Sequence, residues 1–298
     1  MPCIIIITVI IIICFLMDTK NFKVNNQNLK NKSVLSNIKK TVTEKVKLET
    51  IPEIKKPEIK EISIEDKRKS DFTLKYAMEI YLNKKDIELA IIIIQKSLEI
   101  NPNNEHSFYN LGLLYSEKNE QNKAIENFKK CLNINPNNES ARFNLANEFT
   151  KSNNIDSAIS EYEIILENQP NSEDTLYNLA FCYMNFKKDY EKAIEILKKL
   201  LSFNPIHTNG YFNLAICYYS IGEKEKSAET YNNLLLFFPD YSTAYYNLAT
   251  IYHELGRKDK AVLFIKKYLE IPKEVSEYLL IKNARRRLKE WKEDGEFH

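Results

Sequence analysis

Residues 105–138 read EHSFYNLGLLYSEKNEQNKAIENFKKCLNINPNN. Counted from Glu105, this stretch has Phe108, Leu111, Gly112 and Tyr115 at positions 4, 7, 8 and 11. At about 100° per residue these side chains share one narrow stripe, the core face of a first helix. A polar break, EKNEQN, follows. Ala124, Ile125, Phe128 and Cys131 then recur at i, i+1, i+4 and i+7, the stripe of a second helix. Pro136 ends it, and Asn137-Asn138 leads into the next helix start. Neither short helix is stable alone and a pair buries only one face, so pairs must stack on pairs.

The rest of the chain supplies those pairs. Pro102, Pro136, Pro170, Pro205 and Pro239 are separated by 34, 34, 35 and 34 residues, and Pro272 follows 33 later. In step with them run YNLGLLY from 109, FNLANEF from 143, YNLAFCY from 177, FNLAICY from 212 and YNLATIY from 246. A fixed period in this range marks a solenoid. Small residues recur at position 8 (Gly112, Ala146, Ala180, Ala215, Ala249) and position 20 (Ala124, Ala158, Ala193, Ser227, Ala261), where they permit close helix approach. Only five glycines in 298 residues also favour an all-helical chain.

This pattern resembles the tetratricopeptide repeat (TPR) family: a bulky residue, Leu, Gly or Ala, and Tyr in the first helix, then Ala, an aromatic, a small residue and Pro. The resemblance implies an all-α, right-handed TPR solenoid of antiparallel helix pairs. Six repeats are expected, over 71–104, 105–138, 139–172, 173–207, 208–241 and 242–272. The first carries the signature through Leu74, Ala77, Met78, Tyr81, Ala90 and Pro102. One extra residue near Lys187–Tyr190 falls between the helices of the fourth repeat, where the loop is expected to absorb it. Arg142 stands at a core position and is expected to pack through its aliphatic stem. Beyond Pro272, Val275, Tyr278, Ile281, Leu288 and Trp291 at helical spacing predict a capping helix within 273–298, with Arg285-Arg286-Arg287 on its solvated face.

Two segments precede the repeats. Residues 3–17, CIIIITVIIIICFLM, are apolar but for Thr8 and carry no charge. As a helix they would reach roughly 22 Å, short of a ~30 Å hydrocarbon core. That suits a short membrane anchor or the hydrophobic part of a signal segment, so 1–17 is assigned to membrane association. The lysines after it (Lys20, Lys23, Lys30, Lys32) favour a cytoplasmic-facing repeat domain. The alternative is export to the periplasm, after signal cleavage or as a lipoprotein. Residues 18–70, rich in Asn, Lys and Glu with Pro52 and Pro57, read as a disordered charged linker.

Charge and chemistry narrow the function. Lys and Arg outnumber Asp and Glu by 14 to 8 in residues 18–70, but are outnumbered 29 to 33 in residues 71–298. The folded part is therefore no basic nucleic-acid binder. Cys3, Cys14, Cys131, Cys182 and Cys217 have no metal-ligand spacing, and Cys182 and Cys217 read as small core residues. His106, His207, His253 and His298 are scattered, with His106 and His253 on the groove side as polar lining. No Gly-rich phosphate loop occurs. The expectation is a non-enzyme without metal or cofactor.

In the family the first helices line the concave side. The groove then falls to position 6, roughly 150° from the core stripe, and position 5, roughly 110° from it. Position 6 is Asn110, Asn144, Asn178, Asn213 and Asn247; position 5 is Tyr109, Phe143, Tyr177, Phe212 and Tyr246. An Asn amide matches the C=O and N–H of an extended peptide, and neighbouring aromatics pack its side chains. The row is similar to the asparagine ladder in the repeat domain of O-linked N-acetylglucosamine transferases. The carboxylate clamp of chaperone-binding repeats is not reproduced: Lys75 and Asn110 match it, but Glu79, Ser140 and Asn144 hold its other places. The function expected is a membrane-tethered protein–protein interaction scaffold that binds an extended peptide segment in its groove. The alternative is a structural spacer or self-association module using convex or terminal faces.

Overall fold

The computed structural model describes residues 62–271 and 278–293, all within one compact unit, Ile62–His298. The expected anchor, and the expected linker as far as residue 61, lie outside the described residues. Thirteen helices and no strand occur among those described: α1 (Ile64–Lys84), α2 (Ile87–Ile100), α3 (Glu105–Glu117), α4 (Gln121–Ile134), α5 (Glu139–Lys151), α6 (Ile155–Asn168), α7 (Glu173–Cys182), α8 (Tyr190–Phe203), α9 (Thr208–Ser220), α10 (Lys224–Phe237), α11 (Ser242–Glu254), α12 (Lys258–Glu270) and α13 (Tyr278–Glu293). Each packs on its neighbours in sequence, so odd- and even-numbered helices form six stacked pairs with α13 against the last.

Helix α1 begins at Ile64, seven residues before the expected start of the first repeat at 71 and inside the stretch assigned to linker. Local chemistry explains the difference. The Ser63 side chain caps the helix by accepting from the Asp66 N–H at 3.0 Å, Glu65 and Asp66 oppose the helix dipole in the first turn, and Lys69 pairs with Glu65 at 2.8 Å.

The turns recur like the sequence. The first helix of each pair ends on a left-handed residue: Lys85, Asn119, Asn153, Lys188, Gly222 and Gly256, with φ between 55° and 84°. In the second, third, fifth and sixth pairs the next N–H reaches back five residues to the carbonyl of the closing aromatic, as from Glu120 to Tyr115 and from Arg257 to Tyr252, both 2.8 Å. This is a Schellman closure. Between pairs, Asn101, Asn135 and Asn204 precede proline and accept through their side chains from the N–H two residues on, while Asn104 and Asn138 cap the next helix. The Asn-Pro spacing thus encodes turn and cap together.

The extra residue of the fourth repeat lies in the helix rather than the loop. After α7 the chain makes a π-helical turn, Tyr183–Lys187. The Asp189 N–H consequently reaches back six residues to the Tyr183 carbonyl, at 3.1 Å. Widening one turn keeps Lys188 in the left-handed site and leaves α8 in register.

The core follows the predicted stripes. Ala90, Ala124, Ala158, Ala193, Ser227 and Ala261 are fully buried. Gly112 admits the Phe128 ring, whose nearest carbon would lie 2.5 Å from a Cβ placed there. Arg142 is held by its head as well as its stem: it donates to Glu161 at 2.7 Å and to the Pro136 carbonyl at 2.7 Å. Between the first two pairs the core is partly polar, with Ser70, Ser97, Ser107 and Asn104 joined in a buried hydrogen-bond network.

Candidate peptide-binding groove

The asparagines of position 6 are half-buried, except Asn213, which is only 8% exposed. Four have their amide N–H groups tied to the protein. Asn110 donates to the His106 carbonyl of its own helix at 2.7 Å. Asn144 donates to the Tyr109 hydroxyl of the preceding repeat at 3.3 Å. Asn178 donates to Asn147 Oδ1 at 3.1 Å, and Asn247 to the Tyr231 hydroxyl at 2.8 Å. Three of these four bonds, from Asn144, Asn178 and Asn247, stitch repeat to repeat, a role not read from the sequence.

The aromatics of position 5 are half-buried as well. Phe143 and Phe212 meet Tyr162 and Tyr231 of their own second helices edge-on, with ring centroids 6.0 and 5.8 Å apart. Tyr109 tilts against Phe128, and Tyr246 stands edge-on to Tyr268. Tyr177 packs on His207, which also caps α9. One ring edge supports the core while the rest faces the first-helix surface.

Three cavities open among the first helices. One of about 360 Å³ is lined by Tyr109, Phe143, Asn144 and Ser140. A second, about 240 Å³, lies mid-stack between α5 and α7, with Asn144, Asn147, Asn178, Tyr162 and Phe181 in its wall. The third, about 330 Å³, is lined by Tyr219, Tyr246, Asn247, Thr250 and Arg287. The expected asparagines and aromatics thus share cavity walls at positions 109, 143, 144, 178, 246 and 247.

The capping helix shapes the third cavity, and here the arginine run divides. Arg285 and Arg286 are exposed, but Arg287 turns inward. It donates to Thr250 Oγ1 at 2.6 Å and lies over the Tyr246 ring, 5.1 Å from its centroid. Trp291 of the same helix stacks on His253 at 4.5 Å, so His253 is covered by the cap instead of lining an open groove.

Sequence reading by single helices also missed Glu148. It occupies position 10, where the other repeats carry Ile80, Leu114, Cys182, Cys217 and Ile251, all buried. Glu148 is equally buried, 2% exposed. Its Oε1 accepts from Ser116 at 2.5 Å and from Lys151 at 2.6 Å. Comparing the repeats column by column would have found it. Nearby, burial pushes the Tyr162 phenol up to about 12, so it stays a neutral donor to Asn147 Oδ1, at 2.6 Å. Among the described residues no three His, Cys, Asp or Glu side chains gather as a metal site, and no helix is long and apolar enough to cross a membrane.

A stack of helix pairs with cavities among its first helices defines the class: a helical-repeat interaction scaffold. Family models described as tetratricopeptide repeat match residues 79–104, 105–138 and 242–274 and residues 187–244. The chain is a tetratricopeptide-repeat protein. No curated protein matches the sequence, whereas solved structures share its fold. A tetratricopeptide repeat protein from Parabacteroides merdae superposes with a TM-score of 0.60 at 18% identity, over 75% of this chain and 89% of its own. MamA does so with 0.54 at 24% identity, over 58% and 94%. YrrB, described as a TPR protein with an unusual peptide-binding site, does so with 0.54 at 19% identity, over 65% and 97%.

Proposed function

We propose that this protein receives an extended segment of another polypeptide along the concave face of its first helices and is tethered to a membrane by residues 3–17. The observation that carries the reading is the presence of three cavities among the first helices, two of which are walled by the same positions, 6, 9, 10 and 12, of different repeats. An extended strand advances about 3.3 Å per residue with alternate side chains on opposite faces, so side chains several residues apart can reach separate cavities. The Asn side-chain carbonyls would accept from its backbone N–H groups, and Tyr and Phe rings would cover its side chains. Binding without turnover is the expected activity.

The test is photo-crosslinking in cells with benzoylphenylalanine at Phe181, an exposed ring in the mid-stack cavity. The control replaces Lys129, which is exposed on a second helix. Adducts formed from 181 and absent from 129 are expected. Equal adducts from both positions would replace the groove with a spacer or self-association role. Removal of residues 1–17 should move the protein from the membrane pellet to the soluble fraction, and an unchanged distribution would remove the tether.

A further inference from the structure

Glu148 has a feature that its hydrogen bonds do not explain. Its Oε2 is buried and accepts no hydrogen bond, alone in this among buried side-chain oxygens and nitrogens of the described residues. A buried, unpartnered carboxylate oxygen destabilises a fold, whereas an apolar residue of similar shape at the same place does not. Every other repeat has that apolar residue at position 10. The exception stands in the third of six repeats, in the wall of the 240 Å³ cavity.

The chemistry around it selects a partner group. Asn144 and Asn178 stand in the cavity wall and can turn carbonyl oxygens to a donor, whereas Asn147 Oδ1 already accepts from Tyr162 and Asn178. Phe181 offers a ring face, and cations are drawn to such faces. Lys151 approaches Oε1 but is itself half exposed, at 53%, leaving Oε2 for a second donor. We propose that this cavity is the specificity pocket of the groove and takes the ammonium or guanidinium head of a lysine or arginine in the bound segment. On binding, the Glu148 carboxylate turns to present Oε2, which solvent does not reach in the free protein; the head donates to it and to the amide oxygens of Asn144 and Asn178, while the aliphatic stem lies against Phe181. The assignment rests on the first-helix face being the binding face. The cavity volume suits one long side chain, so a single basic residue sets the register of the whole segment.

The experiment is selection from a random linear peptide library on phage, against the full detergent-solubilised chain and its Glu148→Gln and Glu148→Leu variants. The wild type should enrich peptides with Lys or Arg at one fixed position. Synthetic versions should bind about tenfold or more weakly when that residue is norleucine, the loss of one charge-assisted hydrogen bond. The same loss should appear with native peptide on Glu148→Gln, which keeps the shape and removes the charge. Glu148→Leu should lose the basic preference while gaining thermal stability, which excludes misfolding as the cause. Enriched peptides without a basic residue, or an unchanged basic preference in the variants, would overturn the pocket and leave the groove standing. Failure to enrich any sequence on any of the three proteins would overturn both.

Discussion

Gly112 shows how finely single residues are set. A Cβ at that site would meet three carbons of the Phe128 ring at 2.5–2.8 Å, and Phe128 is fully buried. Gly112→Ala gains about 1 kcal/mol of helix propensity but forces the ring out of place, an overpacking cost of about 1–3 kcal/mol. Net destabilisation is expected as a lower urea midpoint, restored when Phe128→Leu is added. A midpoint raised by Gly112→Ala alone would mean the ring moves freely. Gly112 was legible in the sequence because its whole environment lies within one repeat. Glu148 and Arg287 were not: the first stands out only against the same column in five other repeats, and the second depends on how α13 meets α11. The asparagine row was found, but its amide bonds were not, because each donor's partner is fixed by side-chain rotamers.

At the scale of elements, the six turns within pairs use three kinds of residue for one backbone state. Lys85 and Lys188 occupy the left-handed region at φ 55°, Asn119 and Asn153 at 58° and 60°, and Gly222 and Gly256 at 84° and 72°. A side chain with a Cβ costs roughly 1–2 kcal/mol there, and glycine avoids that cost. Lys188→Gly should therefore raise the urea midpoint and Gly222→Lys lower it by a similar amount, with helix content unchanged in both. Equal and negligible effects would show that these turns open before the stack unfolds. Helix positions were read well from periodicity, whereas ends depended on local chemistry below that resolution. The Ser63 cap extends α1 into residues whose composition resembles a linker, and the π-helical turn after α7 takes up an insertion that looked like added loop.

For the whole molecule, buried thiols provide reporters along the stack. Cys131, Cys182 and Cys217 are free and fully buried in the second, fourth and fifth repeats. Burial pushes Cys131 up to about 11 and Cys217 up to about 12, and raises Cys182 as well. The thiolate is the reactive form, so labelling requires the stack to open. The sign of the pH effect follows from the same shifts. Below the ordinary thiol value of 9.0 folded and unfolded chains hold these protons equally; above it the unfolded chain releases them first. Stability should thus hold up to about pH 9 and fall from there to about pH 12. In a nearest-neighbour stack, terminal repeats open more readily than central ones. Variants retaining one of the three cysteines, with Cys3 and Cys14 replaced by serine, should label most slowly at Cys182, which has at least two full repeats on either side. Raising the pH through 9 should accelerate all three as folding stability falls. Identical rates at every site, following global unfolding measured by circular dichroism, would instead make the stack a single cooperative body. The groove would then be rigid along its length, and a segment bound at one end would be held in register at the other.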